Sequence, residues 1–162
     1  MMKSLTAVLA ISALSLLSVE CRADDDMKIG VWTVELGKKC MISQAWDTEK
    51  KGKMGIFIGY LAKGSAVVLG FLDSDSNLKK DEQFNVALDI DKKWKNTVIG
   101  VAARSDTVAV VFPATSDALS ALKKGNRIDV DLVDKPDSTW WFSLDDTQNA
   151  LGALEACRQL TE

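Results

Sequence analysis

A strict two-residue alternation of apolar and polar side chains sets the strongest limit on how this chain folds. It recurs in three segments, at positions 84–91, 127–132 and 139–144. In the first segment, for example, Phe84 and Val86 are separated by an asparagine. A period of two places successive side chains on opposite faces of a strand. Each segment therefore predicts a strand with one buried and one solvent-exposed face.

Continuous apolar runs predict further strands that are buried on both faces or nearly so. These runs occupy positions 54–61, 66–72, 97–103 and 106–112. The Ser105/Asp106 pair predicts a two-residue hairpin turn between the last two runs. Two more strands are expected at the start of the domain, around 28–35 and 40–46. The pattern indicates about nine strands with short local connections.

Two other segments carry helix signals. Thr115 or Ser116 is suited to cap a short helix, which Gly125 would end. Asp145 or Asp146 is suited to cap a longer helix with an apolar stripe. The stripe consists of Ala150, Leu151, Leu154 and Cys157. We therefore predict an all-β fold with two short helices, arranged as an antiparallel β-sandwich or flattened barrel of about nine strands.

Residues 1–23 have the composition of a secretory signal peptide. A short basic start precedes an apolar run at 5–19, and Ala23 is a small residue at the expected cleavage point. The run is too short and wrongly flanked for a membrane span, so we expect no stable membrane insertion after cleavage. Lipidation of Cys21 is a rival export route that fits poorly, because Glu20 stands where lipoprotein processing prefers a small residue.

The remaining residues, 24–162, have an ordinary size for one domain and contain no internal linker. We expect a single β-sandwich domain that is periplasmic or secreted. It keeps two cysteines, Cys40 and Cys157. In an oxidising compartment they predict one disulfide between the start and the end of the domain, and two buried free thiols are the alternative. In the chain-entropy model, a bridge that closes a loop of 117 positions stabilises the folded domain by roughly 4–5 kcal/mol.

Composition excludes several kinds of chemistry. The chain has no histidine, which excludes Ser-His-Asp and Cys-His nucleophile systems and histidine-ligated metals. The formal net charge of −3 disfavours a nucleic-acid partner, which would require a basic face. We therefore predict a protein without enzymatic activity or cofactor.

One acidic segment is a candidate calcium loop. Asp73, Asp75 and Asn77 follow the D-x-D-x-N spacing of calcium ligands, and Asp81 falls at the ninth position. The match fails where Leu78 replaces the glycine of the sharp turn, and again where a phenylalanine replaces the closing glutamate. We interpret the segment as a polar loop, with calcium binding as the alternative.

Two tryptophans are candidate contacts for a protein partner. Trp140 and Trp141 are consecutive in a predicted strand, so their side chains must point to opposite faces, with Trp140 in the core. Trp141 is then either covered by a helix, which the pattern slightly favours, or exposed as an anchor for a partner or a sugar. Trp94, between lysines at an expected hairpin tip, is the second candidate, and its alternative role is a lid on the core.

Short motifs resemble those of the invasion-associated locus B family of small exported Gram-negative bacterial proteins. They are G-x-W-T-V at 30–34, C-M-I-S-Q at 40–44, the strand at 84–91, the Lys124-Gly125 helix end and F-S-L at 142–144. The resemblance implies an exported β-sandwich with a role in host interaction or envelope stress. This chain departs from the family in lacking further cysteines between the strands, and the family supplies no catalytic residues to carry over.

The sequence thus favours an exported, non-enzymatic protein that presents a surface to a protein partner. Trp94 and Trp141 are the candidate contacts. The first alternative is an inhibitor of an envelope-directed hydrolase, such as a lysozyme or a protease, because small disulfide-bonded β domains often have that role. The second alternative is a β-barrel that binds calcium or another small ligand.

Overall fold

The computed structural model describes residues 26–36, 40–49, 52–61, 64–135 and 138–161. The predicted signal peptide and Cys21 lie outside these ranges. Within them the chain forms ten strands and two helices. The elements are β1 (Met27–Ile29), β2 (Trp32–Glu35), β3 (Met41–Thr48), β4 (Gly52–Leu61), β5 (Ala66–Asp73), β6 (Gln83–Ile90), β7 (Trp94–Arg104), β8 (Thr107–Pro113), α1 (Asp117–Lys124), β9 (Arg127–Leu132), β10 (Thr139–Ser143) and α2 (Thr147–Thr161).

The ten strands form one antiparallel sheet in the order β1-β2-β3-β4-β5-β8-β7-β6-β9-β10. The first five strands pair in sequence order, the next three pair in reverse order, and the β9–β10 hairpin is added to β6. The predicted all-β fold with two helices is confirmed, as is the turn at Ser105/Asp106 between β7 and β8.

The strand expected at 28–35 is a hairpin, which accounts for the tenth strand. Its turn begins at Gly30, which has a φ of +55°, a left-handed conformation that favours glycine. A Cβ on Gly30 would also lie 2.1 Å from Oδ2 of Asp146 at the start of α2. This glycine therefore serves both the turn and the close approach of the hairpin to the terminal helix.

The sheet curls until β10 lies against β3 without pairing with it. The Nε2 atom of Gln44 on β3 donates a hydrogen bond of 2.7 Å to the backbone carbonyl of Ser143 on β10. Trp46 on β3 packs edge-on to Phe142 on β10, with ring centroids 5.5 Å apart. We call this junction of β3 and β10 the seam, and it leaves the flattened barrel incompletely closed.

The apolar side chains on the inward face of the strands fill the interior, as the alternation predicts. On β6, Phe84, Val86, Leu88 and Ile90 are all buried. Across the interior, Phe71 of β5 stacks on a phenylalanine of β10 with ring centroids 5.8 Å apart. This continuous core links β5, in the middle of the sheet order, to β10 at its end.

The prediction of burial on both faces or nearly so is wrong for β7, and on β8 it fails at Val111. Ile99 and Val101 on β7 and Val111 on β8 are exposed on the outer face. The helix α2 packs mainly against α1, β2 and β3, so it covers a different part of the sheet. An apolar run therefore predicted the strands correctly but overestimated how much of each was covered.

The two helices lie where capping residues and the apolar stripe predicted them. Ser116 precedes α1 and Gly125 follows it, with the Gly125 N–H donating to the carbonyl of Ala121. Ala150, Leu151, Leu154 and Cys157 are all buried, which confirms the apolar stripe. This face of α2 packs on the start of the domain.

Candidate functional site

Trp140 and Trp141 occupy opposite faces of β10. Trp140 is 3% exposed, and its Nε1 donates a hydrogen bond of 2.9 Å to Oδ2 of Asp73 on β5. Trp141 is 55% exposed on the outer face. The preference for burial of Trp141 beneath a helix is therefore wrong, because α2 packs elsewhere on the sheet. An indole that is large, rigid and half in solvent is a typical anchor for a protein partner.

A guanidinium group fixes one side of the exposed indole. The Cζ atom of Arg127 on β9 lies 4.9 Å from the centroid of the Trp141 ring, within range of a cation–π interaction. Asp129, directly opposite Trp141 in the β9–β10 register, accepts hydrogen bonds from Nε of Arg127 at 2.9 Å and from its Nη2. The hydrogen bond to Asp129 raises the pKa of Arg127. Asp129 thus holds a permanently charged group against the indole.

A groove opens along the seam beside Trp141. Its volume is about 510 Å³, within the range of small-molecule and peptide side-chain pockets. We call it the seam groove, and it is lined by Val31, Gln44, Ala45, Trp46, Thr48, Met54, Thr139, Trp140, Trp141 and Ser143. The lining is mainly apolar and aromatic. The hydrogen bond from Gln44 to the Ser143 carbonyl closes one end of it.

The closed end of the seam is held by contacts to the terminal helix. Trp32 on β2 donates from Nε1 to the carbonyl of Asp145 and to Oγ1 of Thr147, both at 3.1 Å. These bonds fix the short connection between Ser143 and α2. The position of β10 relative to β2 and β3 is therefore set by side-chain bonds rather than by strand pairing.

The disulfide prediction agrees with the structure. The Sγ atoms of Cys40 and Cys157 are 2.01 Å apart, and 117 positions separate the two residues. The bond joins the residue before β3 to the last turns of α2. Nearby, Arg158 lies over the ring of Tyr60 and pairs with Glu155. Burial and then the Glu155 carboxylate raise the pKa of the Tyr60 hydroxyl.

Trp94 has a different environment from Trp141. It begins β7 and is partly buried, and its ring packs edge-on to Phe112 of β8 with centroids 6.3 Å apart. It is not among the residues that line the seam groove. The structure therefore does not bring the two candidate tryptophans together, and a binding role for Trp94 stays a prediction.

The candidate calcium residues are distributed over a loop with other roles. The Asp73 carboxylate is engaged with the Trp140 indole and with the N–H of Asp75. Asn77 and Asp81 are exposed, and the Asp81 N–H donates to a carbonyl of β7. Across the described residues, no group of three or more His, Cys, Asp or Glu side chains is placed to hold a metal ion.

Sequence reasoning missed Gln44 and Arg127 as parts of this site. Gln44 interrupts the inward-facing series Ile42, Gln44, Trp46 on β3, and a buried amide within an apolar face signals a specific partner. Arg127 and Asp129 share the outer face of β9, but nothing local places them beside Trp141. That contact depends on the pairing of β9 with β10.

The fold defines an all-β protein with a curled antiparallel sheet and a terminal helix. A solved structure with a similar fold is that of invasion associated protein B from Bartonella henselae. The match has a TM-score of 0.61 and 18% sequence identity, and it covers 83% of this chain and 98% of that chain. No family model and no curated protein sequence matches this chain. The likeness thus shows a shared fold.

In the described part of the chain, neither α1 nor α2 is long and apolar enough to cross a membrane.

Proposed function

We propose that this chain is an exported, non-enzymatic interaction protein that presents the surface around Trp141 to a protein partner. The observation that carries the proposal is the indole itself, 55% exposed beside an apolar groove and backed by Arg127. Exposed aromatic side chains next to desolvated pockets are enriched among the residues that dominate binding energy.

We also propose export and a role in host interaction. The signal-like sequence at 1–23 and the bond between Cys40 and Cys157 support an oxidising compartment. The fold shared with a protein described as invasion associated favours a role at the envelope or in host interaction. The sequence contains no histidine, and this composition favours binding over catalysis. Inhibition of a hydrolase stays a prediction.

Site-specific photo-crosslinking in the cells that produce the protein, and on host cells, tests this proposal. A benzophenone amino acid would replace Trp141 in one variant and Val111 in the other. Val111 is a matched control because it is also 55% exposed but lies on β8, away from the seam groove. We expect a discrete protein adduct from position 141 only. Equal adducts from both positions, or none from position 141, would contradict the assignment of this surface.

A further inference from the structure

Hydrogen bonds at both ends of the β9–β10 hairpin show which way the backbone of β10 points. The Leu132 N–H donates to the carbonyl of Ser138 at 3.1 Å, and the Leu144 N–H donates to the carbonyl of Asn126 at 2.8 Å. Hydrogen-bonded and non-hydrogen-bonded pairs alternate along an antiparallel ladder. Every second residue counted from Ser138 therefore bonds to β9.

The residues between them, Thr139, Trp141 and Ser143, point their N–H and C=O groups to the other edge of β10. The Ser143 carbonyl confirms this direction, because it receives the side chain of Gln44 from across the seam. For the backbone groups of Thr139 and Trp141, the described part of the chain provides no hydrogen-bond partner. They face the seam groove as an unpaired edge, which is a template for another strand.

The seam groove provides places for the side chains of such a strand. In antiparallel pairing, a residue opposite Trp141 would lie on the outer face against the indole. The next residue, opposite Trp140, would point inward toward Trp46 and Met54. Both places are lined by apolar groups, so they favour two consecutive apolar side chains. Backbone pairing with side-chain pockets at alternate positions is the known mode of β-strand addition.

Acidic side chains near Thr139 indicate which residue the added strand should place opposite it. Asp131 lies directly opposite Thr139 in the register and is exposed, and it accepts a hydrogen bond from the threonine hydroxyl. Within the described ranges it makes no salt bridge, whereas Arg127 already neutralises Asp129. Asp47 on β3 is a further exposed acid near the groove. A cationic side chain opposite Thr139 would complement this acidic rim.

The same charges argue against a second copy of this chain as the occupant. Pairing two β10 edges would bring Asp131 of both copies to one surface, in a protein whose formal net charge is already −3. The bond of Gln44 to the Ser143 carbonyl also blocks one end of the edge, so symmetric pairing centred on Trp141 would have to break it. A basic partner segment that pairs only with Thr139 and Trp141 avoids both the charge repulsion and the loss of the Gln44 bond.

We propose that the β10 edge binds an extended apolar and basic segment of a partner protein by antiparallel strand addition, with backbone bonds to Thr139 and Trp141. In the direction of the added chain, the recognised sequence is an apolar residue on the indole, an apolar residue in the seam groove, and a lysine or arginine opposite Thr139. This inference rests on the proposed function and specifies how the partner is recognised.

The test uses a phage-displayed library of random 12-residue peptides, selected against the disulfide-bonded domain. We expect enrichment of apolar-apolar-basic sequences. The most enriched peptide, made synthetically, should slow hydrogen exchange of the Trp141 amide. No enrichment, or protection of a different strand, would overturn the proposal. Protection of the Trp141 amide in concentrated protein without peptide would also overturn it, because the occupant would then be a second copy.

Two matched pairs separate backbone pairing from side-chain contact. Thr139→Pro and Thr139→Val both lack the hydroxyl, but only the proline lacks the outward N–H, so we expect about tenfold weaker peptide binding for Thr139→Pro. If that variant does not fold, the peptide carries the test. N-methylation of the residue opposite Trp141 should weaken binding about tenfold, and N-methylation of the next residue should not. Equal binding within either pair would contradict strand addition.

The photo-crosslinking experiment described above distinguishes a failure of the strand-addition mode from a failure of the proposed function. If the adduct forms at position 141 of the chain and survives Thr139→Pro, the surface is correct and the strand-addition mode is wrong. If no adduct forms at position 141, the proposed function fails whatever the peptides do.

Discussion

The two ends of β10 differ in how they are held, although they belong to the same five-residue strand. At the closed end, Ser143 is tied to β3 by Gln44, and the connection beyond it is tied to β2 by Trp32. At the open end, the backbone groups of Thr139 and Trp141 face a groove, while the alternate residues of the strand bond to β9. One strand can therefore be both structural and available for binding, because its backbone alternates between partners.

The largest expected effect concerns the disulfide that helps to hold the closed end of the seam. Replacing Cys40 and Cys157 together by alanine should lower the free energy of unfolding by roughly 2–5 kcal/mol, because the bond closes a loop of 117 positions. Urea denaturation of the oxidised protein and the double variant measures this. Reduced wild-type protein is the control and should match the double variant. A difference below about 0.5 kcal/mol would show that the disulfide contributes little to holding α2 against the start of β3.

The paired tryptophans give the next largest contrast. Trp140→Phe removes the indole N–H and leaves the Asp73 carboxylate, only 9% exposed, without this donor. We expect a loss of about 2 kcal/mol of stability, since a buried acceptor that loses its hydrogen-bond donor is costly. Trp141→Phe is the control and should change stability by less than about 0.5 kcal/mol. Similar losses in both variants would erase the distinction between the structural and the exposed face.

Gln44 tests the seam itself. Gln44→Leu keeps the approximate volume but leaves the Ser143 carbonyl without the amide donor, so we expect a loss of about 1 kcal/mol, measured by urea denaturation. The unpaired edge should also lengthen by one acceptor, which would strengthen binding of the selected peptide. A variant as stable as wild type with unchanged peptide affinity would mean that Gln44 does not close the groove.

The smallest effect is a pH dependence at the β6–β7 turn, which supports the start of β9. Hydrogen bonds from the Asn126 and Arg127 backbone lower the pKa of Asp91. Because its pKa is depressed in the folded state, its stabilising contribution is present above the unfolded pKa, near 4, and is lost as the pH falls through the folded pKa.

Carbon-detected NMR titration should therefore give an Asp91 midpoint below the reference value of an unfolded aspartate. Asp91→Asn should flatten the loss of stability in that acidic range, and it should also loosen the backbone at Arg127. An Asp91 midpoint at or above the reference value would contradict the capping role of this carboxylate.

Much of the fold followed from local patterns. The alternation at 84–91 and 139–144 identified strands and their inward faces, and the stripe on α2 identified its buried side. The hairpin at Gly30 was missed, because an apolar run continues through it and only its left-handed φ reveals the turn. The exposure of Ile99 was missed because local sequence does not show which face a helix covers.

For the candidate site, the amino-acid order alone places Trp140 and Trp141 on opposite faces of a strand and puts one cysteine near each end of the domain. These follow from strand geometry and cysteine count, which are local. Three features depend on the folded chain: α2 leaves Trp141 exposed, Arg127 lies on its ring, and β3 and β10 meet without pairing. Coverage and edge pairing depend on contacts between residues about 100 positions apart, and no local period encodes such contacts.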